Sequence, residues 1–307
     1  MDYAEAQAAF FQPRPGDAAA PRTSGWQSPA RALRDAIEPL ATICFWAEPA
    51  YDAYAARGLD FLQGYVWSRG SALGEPEATV VAAAFGVFEP GLIAALYDGG
   101  RAACSLADVR AAKESGAVTA LREVIGPPDG LGPDGLDTAV EHLRRGAAAA
   151  DSTGRPLHAG LTALPWPDDP LGRLWHACTI LREHRGDSHL AACVAHGLTG
   201  LEATVLTELR VGWDPQSYTA SRGWSPEAMD AATAVLSARG LVGDDGLTAE
   251  GTALRDGIED ATDRMAQPVV DAIGDDLPGL LKLVDGWSQQ IVDRGWFPPD
   301  PYKRASG

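Results

Sequence analysis

Apolar residues recur along most of this chain at intervals of three and four, the spacing that gathers them on one face of an α-helix. The pattern begins near Ala30 and runs almost to the end, with hardly any period-two alternation. The predicted fold is mostly α. Two segments interrupt it, GPPDGLGPDG at 126–135 and PWPDDP at 165–170, where rigid Pro, permissive Gly and acidic turn residues stop helices. Residues 1–29 mix Pro, Gly, Ala and Ser around a few aromatics and read as an arm that orders only by packing on the body. A boundary in DSTGRP (151–156) divides the rest into a helical domain, 30–150, and a second domain, 151–307, ending in long helices.

The most informative stretch is 198–254. Thr199 with Glu202 three residues on forms a capping-box pattern ahead of LEATVLTELRVG, and Ser225 and Gly240 bracket the next helix as N-cap and terminator. GDDG then makes a tight acidic turn, and LTAEGTALRDGIEDATDRMA follows as a long amphipathic helix. Helix, helix ending in RGLV, turn and long helix resemble the winged helix-turn-helix of MarR-type regulators. An internal echo links SRG and EATV at 68–80 to HRG and EATV at 184–205, so the chain reads as two diverged copies of one module. In a winged helix, the helix before RGLV enters the major groove. Here its early turns offer Pro226, Glu227 and Asp230, and the wing tip is Asp244-Asp245. Carboxylates facing phosphates oppose binding, so the fold reads as kept and the DNA function as lost.

The densest run of reactive side chains is PWPDDPLGRLWHACTILREHRGDSHLAACVAHGL, 165–198. At 100° per residue Leu171, Leu174, Cys178 and Leu181 form a stripe onto which Trp175 and Arg182 also project, while His176, Ile180 and Glu183 share the opposite side. A guanidinium on an apolar face is costly to bury unpaired, so Arg182 needs a carboxylate or an anionic ligand. The helix is expected to end near His184, with Arg185-Gly186 as a turn and Asp187 or Ser188 capping a new helix whose amides attract an anion. His184, Glu183, Asp187 and His189 are the acid–base candidates of that corner, with Arg182 and Arg185 as cations. A buried ion-pair network that merely locks the corner is the alternative reading of the same residues.

This segment, with RGWSPEAM, DGLTAEG and IEDATDRMA, resembles the actinobacterial SalK-type helix-turn-helix family, and the similarity extends to most of the chain. The family pattern lies on Arg69, Trp175, His176, Thr179, Arg182, Glu183, His184, Arg185, Gly186, Asp187 and His189, and on Glu259, Thr262, Asp263 and Arg264 of the long helix. The resemblance implies no general activity; the ligand-binding candidates are Arg69, Trp175, His176, Thr179, Arg182, Arg185, Asp263 and Arg264, with the Asp263-Arg264 helix as a wall of the pocket.

Sharper arrangements compete. His189, Cys193 and His196 fall on one helix face at a spacing able to hold a soft metal, and haem ligation by His176, His184 or His189 is a minority option. Asp187, Ser188 and His189 invite a hydrolase triad, but neighbours at a helix start point in different directions. Composition narrows the classes: 307 residues carry a formal charge of −17, a poor match to nucleic acid or an anionic membrane. Four scattered cysteines and no apolar run of about 20 residues read as a soluble, cytoplasmic chain. Nine tryptophans suggest a walled aromatic cavity or a homodimer interface beyond ordinary core packing. The leading expectation is a winged-helix-derived protein holding a small molecule in an internal pocket, modestly favoured as an acid–base enzyme of specialised metabolism. The alternatives are a ligand-responsive regulator that dimerises through its terminal helices and a non-catalytic sequestering protein. No cofactor or metal is expected.

Overall fold

The computed structural model describes residues 2–11, 28–128 and 135–298. These residues form helices almost throughout: α1 Tyr3–Phe10, α2 Pro29–Trp46, α3 Glu48–Ala55, α4 Phe61–Gly70, α5 Ala78–Phe85, α6 Pro90–Ala103, α7 Leu106–Ile125, α8 Leu136–Ala149 and α9 Pro156–Thr162, followed by α10 Pro170–Ala195, α11 Gly200–Val211, α12 Ser217–Ala220, α13 Pro226–Ala238, α14 Ala249–Ile273 and α15 Leu277–Asp293. A two-residue antiparallel ladder, β1 Val242–Gly243 with β2 Gly246–Leu247, lies between α13 and α14.

Local chemistry sets the helix starts. Ser28, Asp169, Thr199, Ser225 and Thr248 each accept a first-turn amide, and Glu202 closes the reciprocal bond to the Thr199 amide at 2.9 Å. Gly240, at φ +73°, ends α13 where an L side chain would be strained. Of the 126–135 breaker, residues 129–134 lie outside the described residues. The N-terminal segment packs on the body: Tyr3 Oη donates to Trp46 O at 2.8 Å, and the Phe10 ring lies 5.9 Å from that of Phe61.

Helix α10 is the central pillar. It is buried on every face from Leu171 to Asp187, as a helix enclosed by α2, α7, α8, α9 and α14 must be. The largest apolar cluster takes Leu33, Leu40 and Leu121 from before the 151–156 segment and Leu174, Val269 and Trp287 from after it. A second cluster joins α11, α13 and the start of α14 around Leu206, Leu236 and Ile258, and a third joins α3 to α7 around Trp67 and Tyr97. No single helix among the described residues is long and apolar enough to cross a membrane.

Candidate functional site

The expected corner after His184 is absent: α10 continues unbroken through Gly186 to Ala195. A helical Gly costs about 1 kcal/mol relative to Ala, which burial of the flanking residues outweighs. There is consequently no new helix N-terminus at Asp187–Ser188 to attract an anion. The side chains of this stretch radiate around one cylinder instead. Arg182, Arg185, Gly186 and His189, at i, i+3, i+4 and i+7, share a face. That face floors a cleft closed by α2, α4, α5, α11 and α12.

The cleft has two adjoining chambers of about 100 and 110 Å³, with Glu38, Tyr65, Phe88, Arg182, Tyr218 and Arg222 lining both. The first is a guanidinium chamber. Arg69 from α4 grips Glu183 with two 2.9 Å bonds, and Arg182 Nη1 donates to the same carboxylate at 2.6 Å. Arg182 Nε also lies 3.4 Å from Glu38 Oε2, which Arg34 Nη2 faces at 3.5 Å. Beside this set, Glu259 of α14 pairs with Arg185 at 2.6 Å, Arg31 at 3.1 Å and Arg255 at 2.6 Å. Arg185 reaches Asp263 at 3.2 Å as well. Glu183 and Glu259 are each 2% exposed, and burial alone would raise their pKa values. Burial is overruled by the guanidiniums of Arg69 and Arg182 at Glu183, and of Arg255 and Arg185 at Glu259, which hold both carboxyls well below the usual range.

Cations outnumber carboxylates here: Arg31, Arg34, Arg69, Arg182, Arg185, Arg222 and Arg255 face Asp35, Glu38, Glu183, Glu259 and Asp263. Arg222 lies over the Tyr218 and Phe88 rings at 4.2 and 5.0 Å and donates to Tyr218 Oη at 2.6 Å. Among the described residues, Arg185 Nε and Arg222 Nε are buried without a hydrogen bond, whereas Arg34 Nη2 and Glu38 Oε2 face each other at 3.5 Å. Buried donors left open are costly. The second chamber is aromatic, walled by Phe10, Phe45, Trp46, Phe61 and Phe297.

The remaining sequence candidates separate into groups. His189 lines the guanidinium chamber; burial and the Arg255 charge push its pKa down to about 3, so it stands there as a neutral imidazole. Its Nδ1 is 3.5 Å from Thr262 Oγ1 and its Nε2 3.6 Å from Cys193 Sγ. His184 and Asp187 are turned away from the cleft toward α9. The His184 ring meets that of His158 edge-on at 4.9 Å, and Asp187 Oδ2 accepts the His158 amide at 3.0 Å. Burial and the neighbouring His158 push His184 down to about 3, and burial with the nearby Glu183 pushes Asp187 up to about 7. Ser188 accepts from Arg155 Nε at 2.7 Å and donates to His184 O, on the opposite side from His189, so no Ser–His–Asp triad is assembled. Trp175 Nε1 donates to Ala41 O at 3.3 Å and Thr179 Oγ1 donates to the same carbonyl at 3.4 Å, both fastening α10 to α2. His176 lines a separate cavity with Trp175. Asp263 reaches the network through Arg185 and accepts from Ser28 Oγ, whereas Arg264 is exposed and lines neither chamber. No group of three or more His, Cys, Asp or Glu placed to hold a metal occurs among the described residues, and His196 Nδ1 instead lies 2.8 Å from Ala192 O.

Several cleft residues escaped the sequence reading. Arg31, Arg34 and Glu38 sit at helical spacing in the otherwise apolar α2, the same signal that singled out Arg182. Arg222, Tyr65, Phe88 and Tyr218 come together only through tertiary structure.

A family profile described as "Helix-turn-helix family" matches residues 30–298. No sufficiently similar relative is found among curated proteins, nor among solved structures. With the match spanning most of its length, the chain belongs to this helix-turn-helix family.

Proposed function

We propose that this protein binds a small organic anion with an aromatic or otherwise apolar body, without binding DNA. The observation that carries the reading is the guanidinium chamber with its two open donors, Arg185 Nε and Arg222 Nε, adjoining an aromatic one. A carboxylate, sulfonate or phosphate would take the first chamber and bring charge-assisted hydrogen bonds worth about 1.5–3 kcal/mol each. An apolar body would fill the second. We read α11, α13, the β1–β2 hairpin and α14 as a winged helix of MarR type, and α4 to α7 as a diverged, wingless copy. On this reading the cleft lies where the two copies meet across α10. It suits a ligand-responsive or sequestering protein, and it also suits an enzyme of specialised metabolism related to the SalK type. For turnover, Glu183 is a poor proton carrier because Arg69 and Arg182 fix its charge, and His184 faces away. Glu38 lines both chambers but faces Arg182 and Arg34 at 3.4 and 3.5 Å, so the geometry favours binding over proton transfer.

The probe for the site is 8-anilinonaphthalene-1-sulfonate, an aromatic sulfonate. Its fluorescence is expected to rise and saturate with the folded protein, and Arg222→Leu is expected to weaken binding by about tenfold, the loss of one charge-assisted bond. The neutral analogue N-phenyl-1-naphthylamine should bind more weakly. Equal affinity for both dyes, or an unchanged affinity in Arg222→Leu, would remove the anion site.

The DNA-free reading rests on the exposed surface. Pro226, Glu227 and Asp230 are exposed at the start of α13, and Asp244 and Asp245 cap the hairpin. Arg239 is occupied, donating to Gly197 O and His196 O. Fluorescence anisotropy with a labelled duplex at physiological salt is expected to show no binding up to about 10 μM, within the range where non-specific binders already saturate. Saturable binding that weakens steeply with added salt would instead support the regulator.

A further inference from the structure

We propose that Lys113 is a Schiff-base-forming amine that captures a small carbonyl compound in a second cavity, between α7, α9 and α10. This cavity holds about 290 Å³, near the lower edge of small-molecule sites, and shares no lining residue with the cleft. Lys113, Ser71, Glu114, Trp175 and His176 are among the residues on its wall. The proposal therefore stands or falls independently of the anion site.

Three observations converge on this lysine. It is one of only three in the chain, with Lys282 and Lys303, and it is 5% exposed in the interior of α7. Among the described residues its amine makes no hydrogen bond or ion pair; its surroundings are the rings of Phe45 and Trp175, with centroids at 5.4 and 5.7 Å. Burial in that setting lowers its pKa from the ordinary lysine value, against the opposing pull of the nearby Cys44 and Glu183. A desolvated lysine is one usual form of an amine nucleophile, because a larger share of it is unprotonated.

The covalent step is self-contained. The amine lone pair forms a C–N bond to the carbonyl carbon, and the C=O π pair moves to oxygen. A proton passes from nitrogen to that oxygen to give a carbinolamine. Loss of water then leaves the imine, with no oxidant or reductant required. His176 stands on the same wall with Nε2 buried and free of hydrogen bonds, and burial pushes its pKa down to about 4. It is thus a neutral imidazole available to relay the proton.

The test is reductive trapping on the intact protein. Propanal and sodium cyanoborohydride are added near neutral pH, and propylation at each lysine is followed over time by peptide mass spectrometry. Lys113 is expected to be modified at least about tenfold faster than Lys282. Lys113→Met should abolish the fast phase while leaving Lys282 labelling unchanged. Because the comparison is made within the unsubstituted chain, it remains decisive even if Lys113→Met folds poorly. Labelling of Lys282 and Lys303 with Lys113 untouched, or equal rates at all three, would overturn the proposal.

Discussion

Glu183→Gln is expected to lower the unfolding temperature by roughly 6–10 °C, from a loss of about 3–5 kcal/mol at about 2 °C per kcal/mol. An amide keeps the shape but cannot neutralise two guanidiniums, whose side chains are only 11% and 17% exposed. Arg182 retains Glu38 at 3.4 Å, whereas Arg69 retains little beyond the Phe85 ring at 4.5 Å. Arg173→Leu, on the same helix, removes only bonds to the Pro167 and Asp168 carbonyls at a half-buried site and should cost about 1 kcal/mol. Calorimetry on both variants checks the contrast; similar, small shifts would mean that the buried pair does not hold α4 to α10. Because the Glu183 pKa is depressed by folding, its stabilisation is complete above the ordinary glutamate value of about 4.3 and is lost only as pH falls below it.

Stability is expected to fall steeply on acidification from about pH 6.5 to pH 5, because buried histidines refuse protons that the unfolded chain accepts near pH 6.5. Burial pushes His176 down to about 4 and His184 and His189 down to about 3, and it lowers His158 as well. A depressed histidine gives stability that is present above its unfolded value and lost as pH drops toward the folded one. Each can contribute up to about 1.4 kcal/mol per pH unit across that window. Asp187, raised to about 7, works the other way: its contribution is greatest in acid and is lost as pH rises through 7. Glu114 and Glu208 are raised too and oppose in the same sense. Four imidazoles against Asp187 alone leave at most roughly 4 kcal/mol per pH unit, which Glu114 and Glu208 reduce further. Urea unfolding at a series of pH values measures this slope, and replacing His176 and His184 by Asn should flatten it by roughly two-thirds or more. A flat profile from pH 6.5 to 5 would falsify the neutral, buried imidazoles.

Much of the secondary structure could be read locally. The Thr199–Glu202 box, the Ser225 cap, the Gly240 terminator and the acidic GDDG turn each depend on neighbours within a few residues, and each is found in place. Gly186 shows the limit of that reading. Its local preference for a turn is real but worth only about 1 kcal/mol, and tertiary burial of the surrounding helix overrides it. The charged residues show a second limit. That Arg182 requires a carboxylate follows from its place on an apolar stripe. That one of the carboxylates is Glu38, far upstream in α2, cannot follow from spacing. Glu259 gathers Arg31, Arg185 and Arg255 from three helices in the same way, and the aromatic chamber draws Phe10 and Phe297 from opposite ends of the chain.

Gly186 also illustrates stability forgone in favour of empty space. It lines the guanidinium chamber, and a Cβ added there would meet only Glu183 Oε2, at an ordinary 3.7 Å. The protein's own packing therefore does not demand glycine at this position, and alanine would strengthen the longest helix by up to about 1 kcal/mol. The methyl group would lie against the floor of a chamber of only about 100 Å³, between the guanidiniums that flank it. On the proposed function, that methyl group would take space from the anion, so a gain in helix stability and a loss of binding are expected together at position 186.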